Sequence, residues 1–179
     1  MKDQSLSRRN LMKLAGGAAV TAALTAQAAK PKRGVQKGRI NQSVVHWCWG
    51  ERGWKIEDTA KAAADLGCKS VELVSPDDWP VLKKHGLICA IAPNGVEGPP
   101  FMRGFNNPDY HDMVIKATKE TIDACAKFGV KNVIAFNGYK WKKAEDPQSG
   151  EISAEQGAKN CVKGLKKIIG YAEKKGVTI

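Results

Sequence analysis

Three histidines in 179 residues, and no two of the five cysteines at a C-x-x-C spacing, leave this chain short of zinc-finger and dithiol-redox signatures. No G-x-G-x-x-G follows an apolar run and no G-x-x-x-x-G-K-[ST] occurs. That counts against dinucleotide and nucleoside triphosphate binding. Negative charge is also scarce, with 18 Asp and Glu against 29 Lys and Arg, a net charge of +11. The excess is scattered in pairs such as Lys83-Lys84, Lys142-Lys143, Lys166-Lys167 and Lys174-Lys175. Pairs of this kind read as solvated helix faces, and no basic and aromatic element points to nucleic acid. Beyond the N-terminal region, no stretch is long and apolar enough to span a bilayer.

What is present is a repeated βα signal. Four times a glycine closes a helical stretch and an apolar run follows at once, at Gly67, Gly86, Gly129 and Gly176. Glycine suits the left-handed position just past a helix end. A continuous apolar run after it reads as a strand covered on both faces, as in a parallel sheet. The predicted strands are residues 43–49, 70–74, 87–92 and 132–136, with a fifth beginning at Val177. Predicted helices cover residues 56–66, a short one from Ser75-Pro76-Asp77-Asp78 to His85, a long one from about Asp109, and one from the capping pattern Ser153-Ala154-Glu155-Gln156 to Lys175. Met113, Ile122, Ala126 and Phe128 are the expected buried residues of the long helix. The architectures open to this pattern are a doubly wound sheet and a (β/α)8 barrel. Long loops after the third and fourth strands, against short turns before each strand, suit the barrel.

The first 28 residues read as an export signal. Ser7-Arg8-Arg9-Asn10-Leu11-Met12-Lys13 is a twin-arginine pattern, an apolar small-residue stretch follows, and Ala26-Gln27-Ala28 is an A-x-A cleavage site. Arg8 and Arg9 would engage the twin-arginine translocation machinery and deliver the protein to the periplasm or beyond. Cleavage would leave no membrane span; retention would make the stretch an anchor. Residues 29–38 form a basic, flexible lead-in, and residues 39–179 form the folded domain. The cysteines, Cys48, Cys68, Cys89, Cys125 and Cys161, are expected as buried free thiols acting as small hydrophobes.

Candidate binding residues sit at the predicted strand ends. Trp47 and Trp49 fall on one side of the first strand with His46 opposite, so the tryptophans could form a platform for a sugar's apolar face. Core filling is the alternative for the tryptophans, and a packed or hydrogen-bonded ring for His46. Glu72 interrupts an apolar strand and requires a partner, water or a function. Asn94 and Asn137 follow strands three and four, where an amide can hold a hydroxyl or shape a turn. Asp77 and Asp78 read as helix-start residues, His85 and His111 as surface helix residues, and Trp79, Tyr139 and Trp141 as lid-loop residues.

Lys69-Ser70-Val71-Glu72-Leu73, Pro76-Asp77-Asp78-Trp79-Pro80, Lys83-Lys84-His85-Gly86-Leu87 and Gly104-Phe105-Asn106-Asn107 together resemble the xylose isomerase-like TIM-barrel superfamily. The nearest likeness is to its hydroxypyruvate isomerase-type branch of sugar and sugar-phosphate isomerases and epimerases. Arg39-Ile40-Asn41-Gln42-Ser43 and Asn132-Val133-Ile134-Ala135-Phe136 fit that branch's first and fourth strands. The resemblance implies the N-terminal half of a (β/α)8 barrel, four to five βα units long. It implies a divalent metal and paired glutamates that move a proton between adjacent carbons of a small sugar or hydroxycarbonyl acid. In the family those ligands come from strands five to eight, so they would lie beyond Ile179. No metal ligand or catalytic residue is therefore assigned within this chain, which reads as truncated. A non-catalytic carbohydrate- or partner-binding protein on the same scaffold is the second reading. A metal-dependent phosphodiesterase is a third, poorly served by so few histidines.

A half barrel leaves an open strand edge and an uncovered interior. Residues 29–179 alone are thus expected to be inactive and to aggregate or form a homo-oligomer. Turnover by a soluble monomer of that segment in a sugar isomerase assay would refute this.

Overall fold

A computed structural model describes Gly34 and residues 38–179. The twin-arginine segment, the cleavage site and most of the lead-in lie outside the described residues. Strand β1, Ser43–Val45, pairs in parallel with β2, Ser70–Glu72, in the register Val44 to Val71. The ladder then continues through single bridges, Ser70 to Ile88, Ala92 to Val133 and Asn132 to Thr178, all parallel. Its hydrogen bonds include Val71 N to Ile88 O at 3.0 Å, Ile134 N to Ala92 O at 3.0 Å and Val133 N to Thr178 O at 2.9 Å. Each strand segment therefore neighbours the one before it in sequence. A doubly wound sheet reverses its strand order part-way, whereas a barrel adds strands in sequence. The observed order is that of a barrel wall.

The helices between the strands are α1 (Trp47–Gly50), α2 (Ile56–Leu66), α3 (Trp79–Lys84), α4 (His111–Phe128), α5 (Ala154–Lys166) and α6 (Ile169–Lys175). The four glycines at the helix-to-strand junctions all have positive φ, between 66° at Gly176 and 85° at Gly67. A β-carbon at such positions clashes with the following carbonyl, and this chemistry is what made the four restarts readable. The core lies between the sheet and the helices. Val71, Leu87, Cys89 and Val133 from the sheet side cluster with Ala60, Leu82 and Ile122 from the helices and with Ile168 from the break between α5 and α6. The opposite face of the sheet is open, and Ile88 on it is 64% exposed.

Several sequence expectations are corrected. The first strand ends at Val45, not at residue 49, because Trp49 N and Gly50 N both donate to His46 O and close a helical turn. The His46 ring is hydrogen-bonded to Thr59 Oγ1 at 2.8 Å, which ties that turn to α2. Trp47 and Trp49 are thus on a helix, and strand alternation does not govern them. Ser75 makes no side-chain cap, and a 3-10 turn over Pro76–Asp78 leads into α3. Trp79 is a core residue, not a lid residue: it is buried, donates from Nε1 to Val74 O at 2.9 Å and meets Phe128 edge-on.

On α4 the buried face is Val114, Ile115, Thr118, Thr121, Ile122 and Cys125, at helical spacing, while Met113, Ala126 and Phe128 are exposed. Residues 137–152, expected as a polar loop, contain an antiparallel hairpin of β3 (Trp141–Lys143) and β4 (Asp146–Glu151). Its strands are too charged to show as apolar runs. The last helix is two helices. They break at Lys167 and Ile168, where Ile168 N donates to Leu165 O in a tightened turn and Ile168 is fully buried.

Residues 104–107 form a clamp. Phe105 N and Asn106 N donate to Phe136 O and Asn137 O at 3.2 and 2.8 Å. Asn106 Nδ2 donates to Tyr139 O, Asn107 Nδ2 to Lys142 O, and Asn160 Nδ2 on α5 to Asn106 O, at 2.6 to 2.8 Å. His111, expected at the surface, is buried instead, with Nε2 2.8 Å from Phe105 O. No room remains for side chains at the crossing. A β-carbon on Gly104 would stand 2.3 Å from Phe136 O, and one on Gly164 would stand 2.6 Å from the Phe105 ring.

Gly104→Ala is accordingly expected to cost about 3 kcal/mol or more. Gly170→Ala, with open space around its added carbon, should be neutral or gain up to about 1 kcal/mol. Equilibrium unfolding in urea distinguishes the two.

Candidate functional site

The C-terminal ends of the parallel strands converge on one cavity of about 520 Å³. Trp47 enters it from the turn after β1, Leu73 from the end of β2, Asn94 from the loop after residues 87–92, and Ile134 and Phe136 from the fourth strand segment. Phe101 closes it from the long loop, meeting Phe136 edge-on at 6.5 Å and Tyr139 at 5.9 Å. Active sites of barrel folds form at this end, because loops there vary while the strands hold them in place.

Asn94 is the polar centre of this cavity. It is 1% exposed, and its Oδ1 accepts from Val96 N at 3.2 Å. That bond fixes the amide's orientation, since the reverse would set two donors against each other. The remaining Nδ2 is the single buried side-chain polar atom among the described residues without a hydrogen-bond partner. Leaving such a donor unpaired costs about 1–3 kcal/mol. A ligand oxygen brought within reach of this atom would satisfy it.

Leu73 is the second anomaly. Its φ of 56° makes it the one non-glycine residue at positive φ among the described residues. For a leucine this conformation costs about 1–2 kcal/mol.

Of the residues expected from sequence, the structure brings Trp47 and Asn94 into this cavity and leaves three outside it. Trp49 packs on Trp54, with ring centroids 6.3 Å apart. Glu72 is half-buried at the end of β2, opposite Val45, and makes no ion pair among the described residues. Asn137 is exposed in an adjacent cleft of about 670 Å³ beside Ser153 and Gly157 at the start of α5. Leu73, Phe101 and Phe136 were not singled out by sequence. The Pro99-Pro100-Phe101 step in a polar loop was an available signal for Phe101; for Leu73, whose backbone is the anomaly, there was none. Tyr139 and Trp141 pack edge-on, 5.3 Å apart, beside the cavity rim.

Among the described residues, no group of three or more His, Cys, Asp and Glu is placed to hold a metal. These residues therefore do not fit a divalent metal centre. No helix among them is long and apolar enough to cross a membrane.

Sequential parallel strands with a cavity at their C-terminal ends define a (β/α)-barrel protein. The chain belongs to the Xylose isomerase-like TIM barrel family, whose model matches residues 60–179. Among solved structures it is similar to D-psicose 3-epimerase from Clostridium cellulolyticum H10, with TM-score 0.57 and 15% identity over 77% of this chain and 50% of that one. A sugar phosphate isomerase/epimerase from Parabacteroides distasonis ATCC 8503 gives TM-score 0.53 and 13% identity over 82% and 52%. Mannonate dehydratase from Streptococcus suis serotype2 gives TM-score 0.51 and 16% identity over 77% and 52%. At such identities the likeness shows the fold alone. The chain spans about half the length of these structures. No curated protein matches the sequence.

The five cysteines are free; Cys89 and Cys125 are buried as expected, but Cys68 and Cys161 are only half-buried and Cys48 is exposed on α1. Burial pushes the Cys125 thiol up to about 12 from 9.0, with Cys89 beside it adding to the shift, and burial also raises Cys89. A thiol raised in the folded state favours folding below its unfolded value and loses that contribution as pH climbs toward its folded value. Stability is expected to decline as pH rises from about 9 toward 12. At about pH 8, alkylation should reach Cys48 while Cys89 and Cys125 stay protected until denaturant is added, as read by peptide mass mapping.

Proposed function

We propose that this chain supplies the substrate-binding wall of an isomerase or epimerase of small sugars or hydroxycarbonyl acids, of the hydroxypyruvate isomerase type. The observation that carries the reading is the orphaned Asn94 Nδ2 donor at the C-terminal mouth of the barrel wall. A buried, unpaired amide donor on a residue that lines an aromatic-walled cavity matches a ligand with oxygens on an apolar ring or chain. Trp47, Phe101 and Phe136 offer faces for the ligand's C–H surface, and Asn94 fixes one hydroxyl or carbonyl oxygen. The family assignment and the sugar-converting relatives of the same fold support this class.

The reading includes a divalent metal and paired acid/base carboxylates, which no cluster of the described residues supplies. Within the described residues the work is binding and orientation: the aromatic wall excludes water and Asn94 holds one oxygen. The twin-arginine pattern at Arg8 and Arg9 supports export of the protein to the periplasm.

The test is proton exchange in heavy water by the intact protein, supplied with a divalent metal and a panel of ketoses and hydroxycarbonyl acids. Deuterium is expected at the carbon next to the carbonyl, followed by nuclear magnetic resonance. Asn94→Ala should lower kcat/KM by about tenfold, the value of one hydrogen bond. Binding without exchange would favour the carbohydrate-binding alternative. A folded protein that neither binds nor exchanges any of these compounds would end the sugar reading.

A further inference from the structure

Along an extended strand, side chains alternate between faces. On β2, Val71 is fully buried toward the helices and Glu72 points to the other face. Residue 73 would then return to the helix side and residue 74 to the open face. The left-handed turn at Leu73 reverses this. Val74 takes the core place, 3% exposed, with its carbonyl held by Trp79 Nε1 at 2.9 Å. Leu73 keeps its backbone bond to Ile91 O at 2.9 Å, and its side chain lines the cavity beside Trp47, Asn94 and Phe136.

Glycine or asparagine would hold this backbone with little strain. What the strain retains is therefore an isobutyl group on the cavity wall. The surrounding wall is mainly apolar. Its ionisable member is Glu51, a carboxylate, and no lysine or arginine lines it. A phosphate or carboxylate brought here would meet a like charge and no counter-ion.

We propose that Leu73 is a specificity-determining residue that makes this cavity select the uncharged, apolar-edged end of a sugar, a deoxy carbon or a C–H face, and reject an anionic end. The proposal rests on the sugar-binding reading above and narrows it to small neutral sugars, setting the hydroxycarbonyl acids aside as ligands of this wall.

Calorimetric titration of the full chain with a ketohexose, its 6-deoxy analogue and its 6-phosphate tests it. The wild type should bind the 6-deoxy compound at least as well as the parent, and the phosphate about tenfold or more weakly. Leu73→Asn should keep the fold, with an unfolding midpoint no lower than that of the wild type, while removing the preference for the deoxy compound. Leu73→Gly, equally free to adopt this φ, repeats the measurement should the asparagine variant fold poorly. Unchanged ligand ratios in folded variants, or a wild type that prefers the phosphate, would overturn the role of Leu73 and leave the sugar reading standing. A folded wild type that binds none of the three would overturn both.

Discussion

The crossing of two backbones at Gly104 and residues 136–138 sets the geometry of the functional end of this fold. Loops after strands three and four would otherwise be free to vary in separation. Here they are joined by main-chain hydrogen bonds from Phe105 and Asn106, and by amide side chains from Asn106 and Asn107. Helix α5 locks the crossing from outside: Gly157 and Gly164 let it approach, and Asn160 bonds to it. The aromatic face of the cavity, Phe101 with Phe136, is carried on the two joined segments. Hydrogen-bonded backbone at contact distance has no low-cost way to slide, so the shape of this wall is inherited from the clamp.

Much of the fold was legible because it rests on local chemistry. A glycine past a helix end followed by Val or Leu is a short-range signal, and four of them gave the βα order. The strand order that decides for a barrel was not readable that way, since it depends on which strands pair. The Trp47 and Trp49 placement failed for a related reason: apolar residues at spacing two fit a strand, but the chain folds around His46 O and its ring binds Thr59. His111 looked polar and external, yet the Phe105 carbonyl lies against it. The β3–β4 hairpin was hidden by its charge.

The candidate site was legible in part. Asn94 and Trp47 could be named because amides and indoles at strand ends have few uses there. Asn94 and Asn137 occupied equivalent sequence positions, and only burial separated them: one is enclosed with a free donor, the other lies at the surface. Leu73 had no compositional signal whatever. Its importance is a backbone torsion, and a torsion is a property of the assembled sheet.

The sheet's pairing order also bears on how the domain comes to exist. Each parallel strand segment after β1 finds a hydrogen-bonding neighbour in chain already made before it. A polypeptide emerging from the ribosome could add one unit at a time to a growing wall, each new helix covering the last strand laid down. Among the described residues the outer edge of β1 is left without a neighbouring strand in this order of assembly.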